Sequence, residues 1–246
     1  MTDEIFSRDA YQDTTEAVVA GVTEDGIVLD RTVFYARGGG QPGDTGTISW
    51  DGGEARIADT VKQAGEVLHI LEPGAAAPPV GASVTARIDW GRRHTLMRTH
   101  TALHALSGIV YTDYGAKVTG GNMEPGVARM DFELDGISQE FGREVEQKLN
   151  TALRNDHPVH VSFVPRAEAL SDPDLIRTKV SLIPESVDPI RVIDIEGLDK
   201  QADGGTHVRS TAEVGHVRVV KTESKGKANK RMRIELAEPE AGAGED

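Results

Sequence analysis

The sequence predicts an α+β protein: a small N-terminal β-barrel, then an α+β domain whose helices pack on a largely antiparallel sheet. Short β-rich stretches separated by Gly and Asp turns fill residues 14 to 90, a spacing that suits a small barrel. Beyond them the apolar period changes from two to about 3.6 residues. β-like segments then return between and after the helical ones, which is the α+β order of elements.

The first half offers Ala17–Val22, Gly26–Asp30, Thr45–Trp50, Ala55–Ala58, Val67–Leu71 and Val84–Trp90 as strands. Gly74-Ala-Ala-Ala-Pro-Pro-Val-Gly81 is a loop, because consecutive prolines remove backbone donors and hold the chain extended. The domain boundary is expected near Asp89 to Gly91, giving a barrel domain over 1–90 and a second domain over 91–246. Leu96, Leu103, Leu106 and Val110 share one side of a helix from about Arg92 to Tyr114. Ser138 is the N-cap of a second helix, along which Phe141, Val145, Leu149 and Leu153 repeat every four residues. Ala128–Leu134, Val159–Val164, Ile190–Ile195, Ala212–Val220 and Lys230–Leu236 are the later strands, and there is no internal repeat.

Composition narrows the function. With 246 residues, 38% hydrophobic and 27% charged, the chain can bury a sizeable core. No apolar run approaches the roughly 20 residues of a membrane helix. The acidic, mixed start predicts no signal peptide, so no membrane partner and a cytoplasmic location are expected. Zero cysteines exclude disulfides, thiol nucleophiles and thiolate metal sites, so a metal would be held by His, Asp or Glu. A net charge of -13 argues against nonspecific nucleic-acid binding by the whole surface, and the acidic end from Glu235 to Asp246 is expected to be a solvated tail.

Four segments carry chemistry. His100 and His104 are four apart on the first helix, a spacing from which two imidazoles can bind one ion; alone, the pair also suits two ordinary satisfied histidines. His94 is six positions away from His100 and points elsewhere. Thr101 replaces the Glu of the zinc-protease helix, so that mechanism's general base is missing, and a metal would act as Lewis acid, anchor or source of activated water. In Gln201-Ala-Asp203-Gly-Gly-Thr-His207-Val, two glycines permit a tight turn in which Asp203 and His207 can converge, completing an N3O set with the helix pair; an Asx-capped turn is the plainer alternative. Phe34-Tyr-Ala-Arg-Gly38-Gly39-Gly40-Gln41-Pro-Gly43-Asp44-Thr-Gly46 is neither a dinucleotide fingerprint nor a P-loop, for no strand–turn–helix unit surrounds it and no Lys-Ser or Lys-Thr follows. It is a flexible turn or a loop whose amides approach a phosphate or ribose. Finally, Arg218, Lys221, Lys225, Lys227, Lys230, Arg231 and Arg233 against Glu223 alone give +6 over sixteen residues. That is either a solvated hairpin or one whose tip projects charge toward an RNA backbone.

Together these motifs resemble the AlaX family of free-standing alanyl-tRNA editing proteins, related to the editing domain of alanyl-tRNA synthetase, in its longer form with an N-terminal barrel. Arg98-Thr-His100-Thr-Ala-Leu-His104 resembles the first metal motif, Gln201 to Val208 the second, and Phe34 to Gly46 the Gly-rich motif. Ala116 to Gly120 and Val127 to Phe132 fit the intervening segment. The family usually has Cys where this chain has Asp203, a harder and weaker donor than thiolate. The resemblance implies a zinc-dependent trans-editing hydrolase that cleaves serine or glycine from the 3'-terminal adenosine of mischarged alanine tRNA. It implies Zn(2+) on His100, His104, Asp203 and His207, with the three histidines and Thr119 catalytic and Thr119 meeting the serine side chain. Gly38, Gly39, Gly40, Gln41, Lys225, Lys227 and Lys230 would hold the tRNA. A metal-dependent hydrolase of a small ester would leave the basic hairpin unexplained, and a noncatalytic tRNA-binding protein would not need the His and Asp set.

Overall fold

The structure, a computed structural model, describes residues 2–172, 175, 185 and 187–237. The expected acidic tail beyond 237 lies outside the described residues. The chain divides into two compact units, Met1–Thr95 and Leu96–Asp246.

The first unit is a closed antiparallel barrel of six strands: β1 (Thr14–Val22), β2 (Gly26–Leu29), β3 (Gly46–Trp50), β4 (Gly53–Gln63), β5 (Glu66–Leu71) and β6 (Ser83–Ile88), ordered β1-β2-β5-β4-β3-β6. Each of the six expected segments supplies one strand. β4 is far longer than the expected Ala55–Ala58, because its polar positions alternate with inward Ala55 and Ile57 and pair along β5 as far as Gln63. Alternation also drives β6, where Val84, Ala86 and Ile88 point inward to meet Ile27, Leu29, Ile48 and Phe34. Fully burying side chains of this size is worth roughly 1.5–3 kcal/mol each. A buried ion pair sits beside this core. Arg93, with no exposed surface, gives Nε to both oxygens of Asp44 at 3.0 and 3.2 Å, and also bonds the carbonyls of Ala10 and Val33 at 2.8 and 2.6 Å.

α1 (Trp90–Tyr114) crosses the division and is the central helix of the second unit. From Thr99 to Val110 every residue is buried, so the expected apolar side is part of a helix enclosed all round. The rest is β7 (Val118–Glu124), β8 (Val127–Phe132), α2 (Gln139–Arg154), β9 (Val159–Val164), the short α3 (Arg166–Ala169), β10 (Ile190–Ile195), β11 (Asp199–Ala202), β12 (Val217–Ser224) and β13 (Lys230–Leu236). Two antiparallel sheets result, β12-β13-β8-β7 and β9-β10-β11. α2 starts where expected: Ser138 Oγ accepts the Phe141 amide at 3.0 Å, and Val145, Leu149 and Leu153 are buried. The strand expected from Ala212 begins only at Val217, because Ser210 caps a 3-10 turn over Thr211–Val214. Among the described residues no helix is long and apolar enough to cross a membrane.

Candidate metal centre

α1 places His100 and His104 on one face, ring centroids 5.1 Å apart. The loop after β11 brings the other half. Asp203 Oδ2 accepts the Gly205 amide at 2.6 Å, so one bond shapes the turn and fixes the carboxylate. Arg191 of β10 donates to the carbonyls of Asp203 and Gly205 at 3.0 and 2.8 Å and holds the loop from behind. His207 then lies 4.3 Å from the His100 ring, nearly stacked, and 4.7 Å from the His104 ring, nearly perpendicular. One potential ligand atom from each of His100, His104, Asp203 and His207 falls within 4.8 Å of the others.

All three histidines turn Nε2 toward Asp203, at 3.6 Å for His100, 3.9 Å for His104 and 3.2 Å for His207. The other ring nitrogens of His104 and His207 point to the protein. His104 Nδ1 meets Asp199 Oδ2 at 2.9 Å, and His207 Nδ1 meets Thr101 Oγ1 at 3.1 Å. Thr101 Oγ1 also accepts the Val208 amide at 3.3 Å. Burial lowers the His100 pKa to about 4, with His104 adding to the effect. Burial likewise holds His207 well below the ordinary imidazole range, beside His100 and His104. For His104 burial is outweighed by the carboxylates of Asp199 and Asp203, which push it up to about 10. Asp203 lies well below the usual carboxylate range, since the neighbouring imidazoles overcome its burial. The pocket thus brings three imidazole nitrogens to one carboxylate, and a cation there would displace the protons that His104 and His207 hold toward Asp203.

This donor set fits zinc. Three nitrogens and one oxygen are an accepted ligand set, and the four donor atoms lie within 4.8 Å of one another, somewhat wider than the roughly 3.3 Å between ligands at ordinary zinc bond lengths. His94 is elsewhere, stacked on Trp90 at 5.4 Å.

The remaining expected residues occupy other places. Thr119 is exposed at the start of β7 and donates its hydroxyl to Asn229 Oδ1 at 3.0 Å. The basic segment does form a hairpin, β12–β13, with Lys225 and Lys227 exposed near its tip. Lys230 is a correction: charge counting places it among the projecting lysines, yet it is 3% exposed. It pairs with Phe132 in register, on the inward side of β13 with Met232 and Ile234, and gives Nζ to the carbonyls of Gly226 and Lys227 at 2.6 and 3.0 Å. Other charges of the segment are paired, Arg231 with Asp131, Arg218 with Glu235, and Lys221, Lys225 and Arg233 with Glu223. In the barrel unit, Gly38 and Gln41 exchange both backbone hydrogen bonds around Gly39 and Gly40, whose φ of 56° and 87° make a tight two-residue turn. Gly38 and Gly39 are exposed at the turn, whereas Gln41 is buried, 1% exposed. Sequence reasoning passes over Asp199, Thr101 and Arg191 as parts of the site. A carboxylate four positions before Asp203 is the one available signal for Asp199.

A six-stranded barrel followed in the chain by a three-histidine, one-aspartate centre defines a two-unit protein with a candidate metal site. Residues 4–92 match the family of class II (A) tRNA synthetases, and residues 190–233 the second additional domain of threonyl and alanyl tRNA synthetases. The chain is 35% identical to the alanyl-tRNA editing protein AlaX-M of Methanosarcina mazei, over 98% of this chain and 99% of that one. It is also 35% identical to the AlaX-M protein of Saccharolobus solfataricus, over 94% and 98%. An alanine–tRNA ligase of Pyrobaculum arsenaticum is 34% identical over 90% of this chain, which spans 25% of the ligase. The chain belongs to the AlaX-M family of alanyl-tRNA editing proteins.

Proposed function

We propose that the chain is a zinc-dependent trans-editing deacylase of the cytoplasm, which hydrolyses the ester between serine or glycine and the 3'-terminal adenosine of mischarged alanine tRNA. Water adds to the ester carbonyl, and the products are the free amino acid and the tRNA hydroxyl. The observation that carries this reading is the buried convergence of His100, His104, Asp203 and His207 in a chain that matches AlaX-M proteins over nearly its whole length.

His100, His104, His207 and Asp203 would hold the zinc, which supplies Lewis acidity and an anchor for the aminoacyl end. The Gly205 amide fixes the Asp203 carboxylate and Arg191 holds the carbonyls of Asp203 and Gly205, so the ligand loop is set before substrate arrives. Thr119 is proposed to read the serine hydroxyl. The Gly38–Gln41 turn, with Lys225 and Lys227, is proposed to hold the tRNA. Editing is needed because a synthetase pocket for alanine rejects poorly a side chain larger by one hydroxyl, and cannot exclude glycine by size.

Incubation with seryl-, glycyl- and alanyl-tRNA(Ala), with and without a chelator, tests the reading. Release of serine or glycine that stops on chelation and returns with zinc is expected. Binding of tRNA without release would make the protein a carrier, and cleavage of simple esters alone would make it a general hydrolase.

A further inference from the structure

We infer that Asp199 is a positioning residue of the metal centre, which fixes the tautomer and orientation of His104. The inference rests on reading the four-residue set as a metal site. Asp199 opens β11, and its side chain has no exposed surface. Its Oδ2 lies 2.9 Å from His104 Nδ1. A carboxylate accepts and does not donate, so Nδ1 keeps its proton, and Nε2, which faces Asp203, is the nitrogen left to give up its proton to a cation.

The surroundings are arranged around this bond. Gln201 Nε2 donates to both Asp199 oxygens, at 3.1 and 2.9 Å, and also to Ser107 Oγ at 3.1 Å, which fixes the carboxylate. Ser107 and Gly108 lie one turn after His104 on α1. A Cβ on Gly108 would stand 2.3 Å from the Leu198 carbonyl oxygen and 3.1 Å from Asp199 Cβ. Glycine is unfavourable in a helix interior, and here the missing side chain is what lets Asp199 approach the helix. Helix, strand and amide therefore converge on one imidazole nitrogen.

Asp199→Asn separates this role from mere attachment of β11 to α1. The carboxamide keeps the volume and can offer N–H to Nδ1, which permits the tautomer with Nε2 protonated. Zinc and cobalt(II) affinities, read by chelator competition, should fall roughly 10- to 100-fold. The visible bands of the cobalt form should also shift, while the metal-free protein melts close to wild type. Unchanged affinity and an unchanged cobalt spectrum would overturn the inference. Should Asp199→Asn not fold, Gln201→Met decides it: by releasing the Asp199 carboxylate it should weaken both metals severalfold, and wild-type affinity would overturn the inference. Wild-type protein that takes up neither metal would instead defeat the metal-centre reading itself.

Discussion

Thr119 donates its hydroxyl to Asn229, joining the start of β7 to the turn of the β12–β13 hairpin. Serine is larger than alanine, so a site that hydrolyses seryl-tRNA and spares alanyl-tRNA needs a polar group that only the serine hydroxyl satisfies. Thr119 Oγ1, once its proton is given to Asn229, keeps lone pairs for that purpose. Thr119→Val should slow release of serine by about 5- to 150-fold, the worth of one such hydrogen bond at ~1 to 3 kcal/mol, and should change the alanyl reaction little. Because the position is exposed, stability should move by no more than about 0.5 kcal/mol. Equal seryl rates for the variant and wild type would remove Thr119 from the mechanism.

Alanine at His100, His104 or His207 should abolish retention of zinc by purified protein. Asp203→Ala should leave a weaker site, since three imidazoles remain, although the Gly205 amide also loses its acceptor. Elemental analysis after dialysis against a weak chelator distinguishes the two outcomes. Full zinc retention in a His variant would show that the ion is held elsewhere.

The hairpin lysines should separate into two kinds. Lys225→Ala with Lys227→Ala should lower the log-log salt slope of tRNA binding by roughly one for each phosphate that goes unneutralised. Lys230→Met should leave that slope unchanged, because its ammonium is already spent on Gly226 and Lys227. Binding titrations over a range of salt would show it. A Lys230 variant that alters the slope as much as the tip lysines do would contradict the inward placement.

His69, buried in the barrel unit between Thr32 Oγ1 at 2.8 Å and the Ile27 carbonyl at 3.1 Å, should make that unit sensitive to acid. Burial pushes its pKa down to about 4 from an ordinary 6.5. Below pH 6.5 the unfolded chain takes up a proton that the folded barrel refuses. Stability is therefore complete above 6.5 and is lost as pH falls toward 4, a change on the order of 3 kcal/mol. His69→Gln keeps hydrogen-bonding groups and removes the titration, so chemical denaturation across that window should show a flatter dependence than wild type. Identical slopes would assign the acid sensitivity to other groups.

The elements with strong periodicity are legible in the sequence. β9, β10 and β13 have the expected bounds, and Ser138 caps α2 as its position suggests. β7 escapes notice because Thr-Gly-Gly-Asn shows no apolar alternation; its partner β8 supplies the register. His100, His104, Asp203 and His207 fall together as the two motifs taken jointly suggest, whereas either motif alone suits satisfied histidines or an Asx-capped turn. Asp199 is not legible, since a carboxylate among Asp-Lys-Gln looks like a turn until β11 is seen against α1. Lys230 carries a usable signal that charge counting hides: it is in phase with Met232 and Ile234, and period-two alternation puts all three on the inward face.

The two halves of the His and Asp centre come from distant parts of the chain; the Thr101–His207 contact alone spans 106 residues. An ion bound there would join segments far apart in the chain only while the protein is folded, a reversible tie in a protein that has no cysteine to make a covalent one. Its contribution would scale as RT ln(1 + [metal]/Kd), so the melting temperature of the second unit would become a function of free metal concentration.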